Sequence, residues 1–195
     1  MNSIAWLLLG ITVQANAPLV RSSAGYRVIA TPSRSGEATI RLEGAGLDLV
    51  LISRDGKPSR EAPKLSLVWE RKHRVTPVDL AVSRRGHVAA FGTGESDALV
   101  LIGLDGVEVG RHARTELTGR SAVSGRNTGG RWFRHAAFIT VPQEEFPNAH
   151  PKQGSALWEG TVFRVGIEVL RLSLPDGTHQ WFDPGTGKRL DRRIG

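Results

Sequence analysis

The 195-residue chain contains no cysteine. That single absence removes disulfides, thiolate metal sites, a cysteine nucleophile and a lipid-anchored bacterial cysteine from consideration. It has no Asn-x-Ser/Thr glycosylation sequon, and its longest apolar run, Ile4 to Val13, is ten residues. A helix needs about 20 apolar residues to cross a bilayer. No two histidines stand at His-x-x-x-His spacing, no serine sits in Gly-x-Ser-x-Gly, and no Walker Gly-x-x-x-x-Gly-Lys-Ser/Thr occurs. What is present is 39% apolar and 23% charged residues, enough to build a core and too apolar for a disordered chain. Gly (23) and Pro (10) stand often beside Asp, Asn or Ser, which favours many turns over long helices. The length suits one domain.

The first residues read as a signal peptide. After the run Ile4–Val13 come Gln14-Ala15-Asn16-Ala17, small residues at signal-peptidase spacing, although Met1-Asn2-Ser3 carries no Lys or Arg. We expect a signal peptide over 1–15, with a cut after Ala17 as the alternative that would leave Pro18 just past the scissile bond. A buried N-terminal strand or short helix is the competing reading. An exported protein without cysteine fits a bacterial periplasmic or extracellular setting, since small eukaryotic secreted domains usually carry disulfides. Residues 21–195 then form a single all-β domain, with irregular loops over 113–130 and 142–160.

Within that domain, short β-branched and aliphatic runs are bounded by Gly, Pro, Asp or Ser, as strands should be. They are Tyr26–Ala30, Ala38–Leu42, Leu47–Ile52, Leu65–Trp69, Val78–Val82, His87–Phe91, Leu99–Ile102 and Val107–Val109. Thr115–Thr118 could start a short helix, and Arg131–Ile139 resumes as a strand. Thr161–Val165, Glu168–Leu174 and Thr178–Phe182 close the chain. Leu49–Gly56 and Leu99–Gly106 match at six of eight positions, and Leu172–Gly177 is a looser third copy. Each is a strand leading into Asp-Gly, where glycine supplies the positive φ of a tight turn. The expected fold is therefore all-β: antiparallel sheets of short strands with Asp-Gly hairpins, in a partial β-propeller-like or sandwich arrangement.

Pro77-Val78-Asp79-Leu80-Ala81-Val82-Ser83, followed two residues later by Gly86-His87-Val88-Ala89-Ala90-Phe91, resembles the middle strands of propeller blades. Tyr26 to Gly110, Arg131 to Arg134 and the tail Leu172 to Leu190 look like an uncharacterised group of exported bacterial proteins with propeller-like repeats. Arg84-Arg85-Gly86 stands where those blades carry an acidic turn. About three blades fit, whereas propellers typically close with four or more. The resemblance brings no activity and no catalytic residue with it.

Net charge is +7, with 21 arginines and 5 lysines spread from Arg21 to Arg193. A nucleic-acid module more often gathers its charge on one stripe or helix, so a solvated basic surface is the favoured reading. Glu144 and Glu145 are adjacent and would face opposite ways on an extended chain. Gly92-Thr93-Gly94-Glu95 and Gly185-Thr186-Gly187-Lys188 read as turns. The distinctive cluster is Arg131-Trp132-Phe133-Arg134. On a strand, Trp132 and Arg134 would share a face and offer a stacking and anion-binding surface, with Arg126 nearby. Alternatively, Trp132 or Phe133 packs inside while the arginines frame the rim. No residue is assigned a catalytic or metal-binding role and no cofactor is implied. The expectation is an exported, non-catalytic interaction or structural module, with an envelope protein or polysaccharide as partner and no transmembrane segment in the mature chain. The alternatives are a hydrolase or carbohydrate-active enzyme with its site in the long loops and, less favoured, a basic nucleic-acid-binding module.

Overall fold

The computed structural model describes residues 17–23, 25–33, 35–45, 64–118, 131–149, 155–159 and 162–192. The expected signal peptide over 1–15, the strand over Leu47–Ile52 with the first Asp-Gly copy, and Arg126 lie outside them. The described residues are mostly β, with almost no helix. Three antiparallel sheets follow one another along the chain, with no closed barrel among the described residues.

The first sheet runs β1 (Leu19–Ser23), β2 (Tyr26–Pro32), β3 (Ala38–Ala45), β4 (Leu65–His73), each strand paired with the next. The second repeats that order with β5 (Pro77–Val82), β6 (Val88–Gly92), β7 (Leu99–Ile102) and β8 (Glu108–His112). After a short helix α1 (Arg114–Thr118), the third sheet is built on a long strand, β11 (Val162–Ser173). β9 (His135–Pro142) and β10 (Ser155–Glu159) both pair with it, as does β12 (His179–Phe182), which in turn pairs with β13 (Arg189–Leu190).

Side-chain alternation explains how the sheets stack. In β2 and β3, the inward set Val28, Ala30, Ala38, Ile40 and Leu42 is buried against Leu80, Val82, Val88, Ala90, Val100 and Ile102 of the second sheet. The opposite set of that second sheet, Ala89, Phe91, Leu99 and Leu101, packs against Phe133, Leu170, Leu172 and Phe182. The second sheet is thus covered on both faces. That is why Val88–Phe91 and Leu99–Ile102 are continuous apolar runs rather than alternating ones. Phe91 is one of four fully buried phenylalanines among the described residues, its ring 4.5 Å from that of Phe133. Burying one such side chain stabilises the fold by about 1.5–3 kcal/mol.

Between β7 and β8, the Gly103 N–H donates to the Val107 carbonyl and the Gly106 N–H to the Gly103 carbonyl, while Asp105 Oδ1 accepts from the Val107 N–H. Gly106 takes φ of 79° there, a left-handed value that a side chain would strain. Ser83–His87 and Leu174–Thr178 carry the same pair of backbone bonds at the β5–β6 and β11–β12 connections.

Several boundaries depart from those expected, among them β4, which runs to His73 rather than Trp69, and β8, which spans Glu108–His112 rather than Val107–Val109. β1 begins at Leu19, two residues before 21, and Leu19 packs on the first core. β9 begins at His135 rather than Arg131, because Trp132 and Phe133 both turn inward, whereas neighbours on a strand would alternate. β10 lies inside 142–160, where prolines argued for loop; its pairing runs from Ser155↔Gly166 to Glu159↔Val162. β11 is one strand rather than two, since Gly166 is paired on both sides, to Ser155 and to Pro142.

Candidate functional site

The first strands of the three sheets lie side by side, β1 against β5 and β5 against β9. Between them opens a cleft of about 350 Å³. Its lining includes the apolar side chains of Ala81 of β5 and Ala136, Ala137 and Phe138 of β9. Its charged groups are Arg21, Asp79, Arg131 and Arg134.

Asp79 holds this arrangement together. Leu80 and Val82 point into the first core, so Asp79 and Ala81, alternating with them, turn the other way. The Asp79 side chain is 11% exposed and uses both oxygens. Oδ1 accepts from Arg21 Nη2 at 2.6 Å and from the Leu80 N–H at 2.9 Å, and Oδ2 accepts from Arg131. A buried carboxylate without such partners would be costly. The Arg131 guanidinium also sits 5.3 Å from the centre of the Phe133 ring, a favourable cation–π placement. Arg21 and Arg131 keep nearly half of their side-chain surface exposed. Each therefore has N–H donors left over for a ligand, since a guanidinium carries five.

Of the residues singled out from sequence, Arg131 and Arg134 meet in this cleft. Arg134 is exposed, and its guanidinium makes no hydrogen bond or ion pair among the described residues. Trp132 does not share the surface. It is buried, its indole N–H donates to the Gly92 carbonyl at 3.0 Å, and its ring packs edge-on against Phe133. The stacking reading of Trp132 gives way to the packing one, because residues 131–134 are not a strand. Arg126 lies outside the described residues. Sequence reasoning missed Arg21 and Asp79. The available signal was a carboxylate at position 79 within the apolar strand Pro77–Val82, where it needs a cationic partner.

A second polar cluster lies beneath, at the seam between the second and third sheets. Ser83, His87 and Glu168 are all buried. Ser83 Oγ lies 3.4 Å from His87 Nδ1, and Glu168 Oε2 lies 3.7 Å from that same nitrogen. A catalytic triad needs the hydroxyl on one ring nitrogen and the acid on the other, so this constellation is not one. Ser83 Oγ instead accepts from the Arg85 and His87 N–H groups, and Glu168 Oε1 accepts from the Arg84 N–H. Burial pushes the Glu168 carboxyl up, but hydrogen bonding from His87, Ser83 and the Arg84 N–H outweighs it and leaves the group below its ordinary 4.5.

No protein-family model, curated protein or solved structure matches this chain.

Outside the cleft, part of the charge is paired locally and part is not. Arg27 and Arg41 pair with the buried Glu43, Arg111 with Glu108, Arg114 with Glu95 and Arg192 with Glu145. Among the described residues no group of three or more His, Cys, Asp or Glu could hold a metal, and no helix is long and apolar enough to cross a membrane. Within the cleft, three guanidiniums face one carboxylate that already carries two of them.

Proposed function

We propose that this chain is an exported, non-catalytic β domain that binds a partner through the cleft at the junction of β1, β5 and β9. The observation that carries this reading is the occupation of Asp79. Among the described residues lining the cleft it is the only carboxylate, and both its oxygens are engaged by Arg21 and Arg131. Glycoside hydrolysis needs two carboxyl groups across a cleft, one to donate a proton and one to attack or activate water. No second carboxylate stands across from Asp79 among the described lining residues. The same arrangement suits recognition, because it fixes two arginine forks in place before a ligand arrives.

A propeller-like arrangement belongs to the same proposal. Three consecutive sheets, the first two in plain meander order, set their first strands together, as blades do around an axis. The blade-like pattern of Pro77–Phe91 adds to that support. The scatter of arginines from Arg21 to Arg193, rather than along one stripe or helix, favours an envelope protein or polysaccharide over nucleic acid as partner.

The test is turnover of aryl glycosides and aryl esters by the wild-type chain and by Asp79→Asn. The reading expects no hydrolysis that depends on Asp79; turnover abolished by that change would establish the hydrolase alternative instead. Export is tested by the intact mass of protein from a bacterial envelope fraction, where loss of residues 1–15 or 1–17 is expected and an uncut chain would contradict it.

A further inference from the structure

We infer that the cleft is an oxyanion site, taking a small organic ligand through its carboxylate or phosphate group. The inference rests on the cleft being a binding surface and adds what it binds.

Three features point to it. Arg21 and Arg131 are held by Asp79 with their forks partly exposed, so the entropy of ordering two long side chains is already spent. Arg134, exposed and without an ion pair at contact distance among the described residues, lines the same cleft and adds a positive charge, felt also by the exposed Asp176 carboxylate. Guanidinium forks match the geometry of carboxylate and phosphate, giving two parallel N–H···O bonds that a lysine cannot reproduce. Asp79, already doubly paired, attracts a cation less than the three arginines repel one, and the balance of charge selects an anion.

Size narrows the class. A volume of about 350 Å³ corresponds to on the order of ten water molecules at about 30 Å³ each. That admits a single sugar ring or a comparably sized acid. The apolar side chains Ala81, Ala136 and Phe138 in its lining can take the carbon face of such a ring, while the arginines take its charged substituent.

The experiment is a titration of the chain with glucuronate, glucose 6-phosphate and neutral glucose, followed through the backbone amides of Ser22, Ala81 and Ala136 by NMR. Binding of either acid in preference to glucose is expected, and the stronger of the two identifies the oxyanion. Arg134→Gln should weaken that binding by about tenfold. Arg134→Lys should fall between it and wild type, because charge is kept while the fork is lost. Arg192→Gln, which removes the same charge beside Trp181 and Glu145, should leave affinity within about twofold. Equal weakening by Arg134→Gln and Arg192→Gln would reduce the effect to net charge and overturn the site. Cleft amides that respond to glucose as strongly as to the acids, or to none of the three, would overturn it too. The former would leave the cleft as a binding surface, and only Asp79-dependent turnover would remove the non-catalytic reading itself.

Discussion

Arg131 and Asp79 are 52 residues apart in the chain, yet Arg131 Nη2 donates to Asp79 Oδ2 across the junction between β5 and the segment entering β9. With Arg21 on the other oxygen, this contact ties all three sheets at one point.

Removing that tie should be measurable. Asp79→Ala loses two charge-assisted bonds and the bond to the Leu80 N–H, while both arginines can rehydrate from their exposed positions. A destabilisation of about 1–3 kcal/mol is expected from urea unfolding. An unchanged unfolding midpoint would show that the pair contributes nothing to holding the sheets together.

Trp132→Phe removes a buried donor and leaves the Gly92 carbonyl without its indole partner. The expected cost is about 1–3 kcal/mol. A stability equal to wild type would mean that Trp132 does not pack as described and would reopen its surface role.

Close approach of two backbones gives a purely steric prediction. Gly110 on β8 has no left-handed φ, but a Cβ added there would lie 2.7 Å from the Gly187 Cα. The contact is fastened by His112, whose Nε2 lies 2.8 Å from the Gly187 carbonyl oxygen. Gly110→Ala should therefore cost about 1–3 kcal/mol, as overpacking typically does. Full stability of that variant would show that the second and third sheets are not in contact at this point.

Acid should weaken the fold in two stages. Burial lowers the His73 pKa below its ordinary 6.5; Glu108 works against this, and Arg111 and Arg71 add to it. The unfolded chain then binds the proton more readily than the folded one. Stability is complete above about pH 6.5 and declines as pH falls below it. Glu168, also lowered, contributes stability above its ordinary 4.5 that is lost as pH falls further. Urea midpoints across this range should fall in wild type, and the upper stage should vanish in His73→Phe. A slope retained in that variant would assign the effect to another group.

The strands were legible because their signal is local. Runs such as Leu99–Ile102, closed by Gly103 and Asp105-Gly106, announce both an extended segment and its turn. β10 was obscured because the prolines at 142, 147 and 151 argue for loop, while the partner that makes Ser155–Glu159 a strand lies further along the chain. Trp132 and Phe133 were misplaced for a related reason. Alternation assumes a strand, and the backbone there departs from one just before β9. The cleft itself was half visible. Arg131 and Arg134 stood out as a cluster, but Arg21 and Asp79 are brought to them only by the stacking of sheets, which leaves no periodic trace in the sequence.

The central claim is that β1, β5 and β9 line one cleft. Because the chain has no cysteine, Arg134→Cys gives a unique attachment point for a nitroxide label. The account predicts paramagnetic broadening of amides in three sequence-distant segments at once: Ser22 and Ser23, Ala81 and Val82, and Ala136 and Ala137. Broadening confined to the residues around position 134, with the first two segments unaffected, would contradict it.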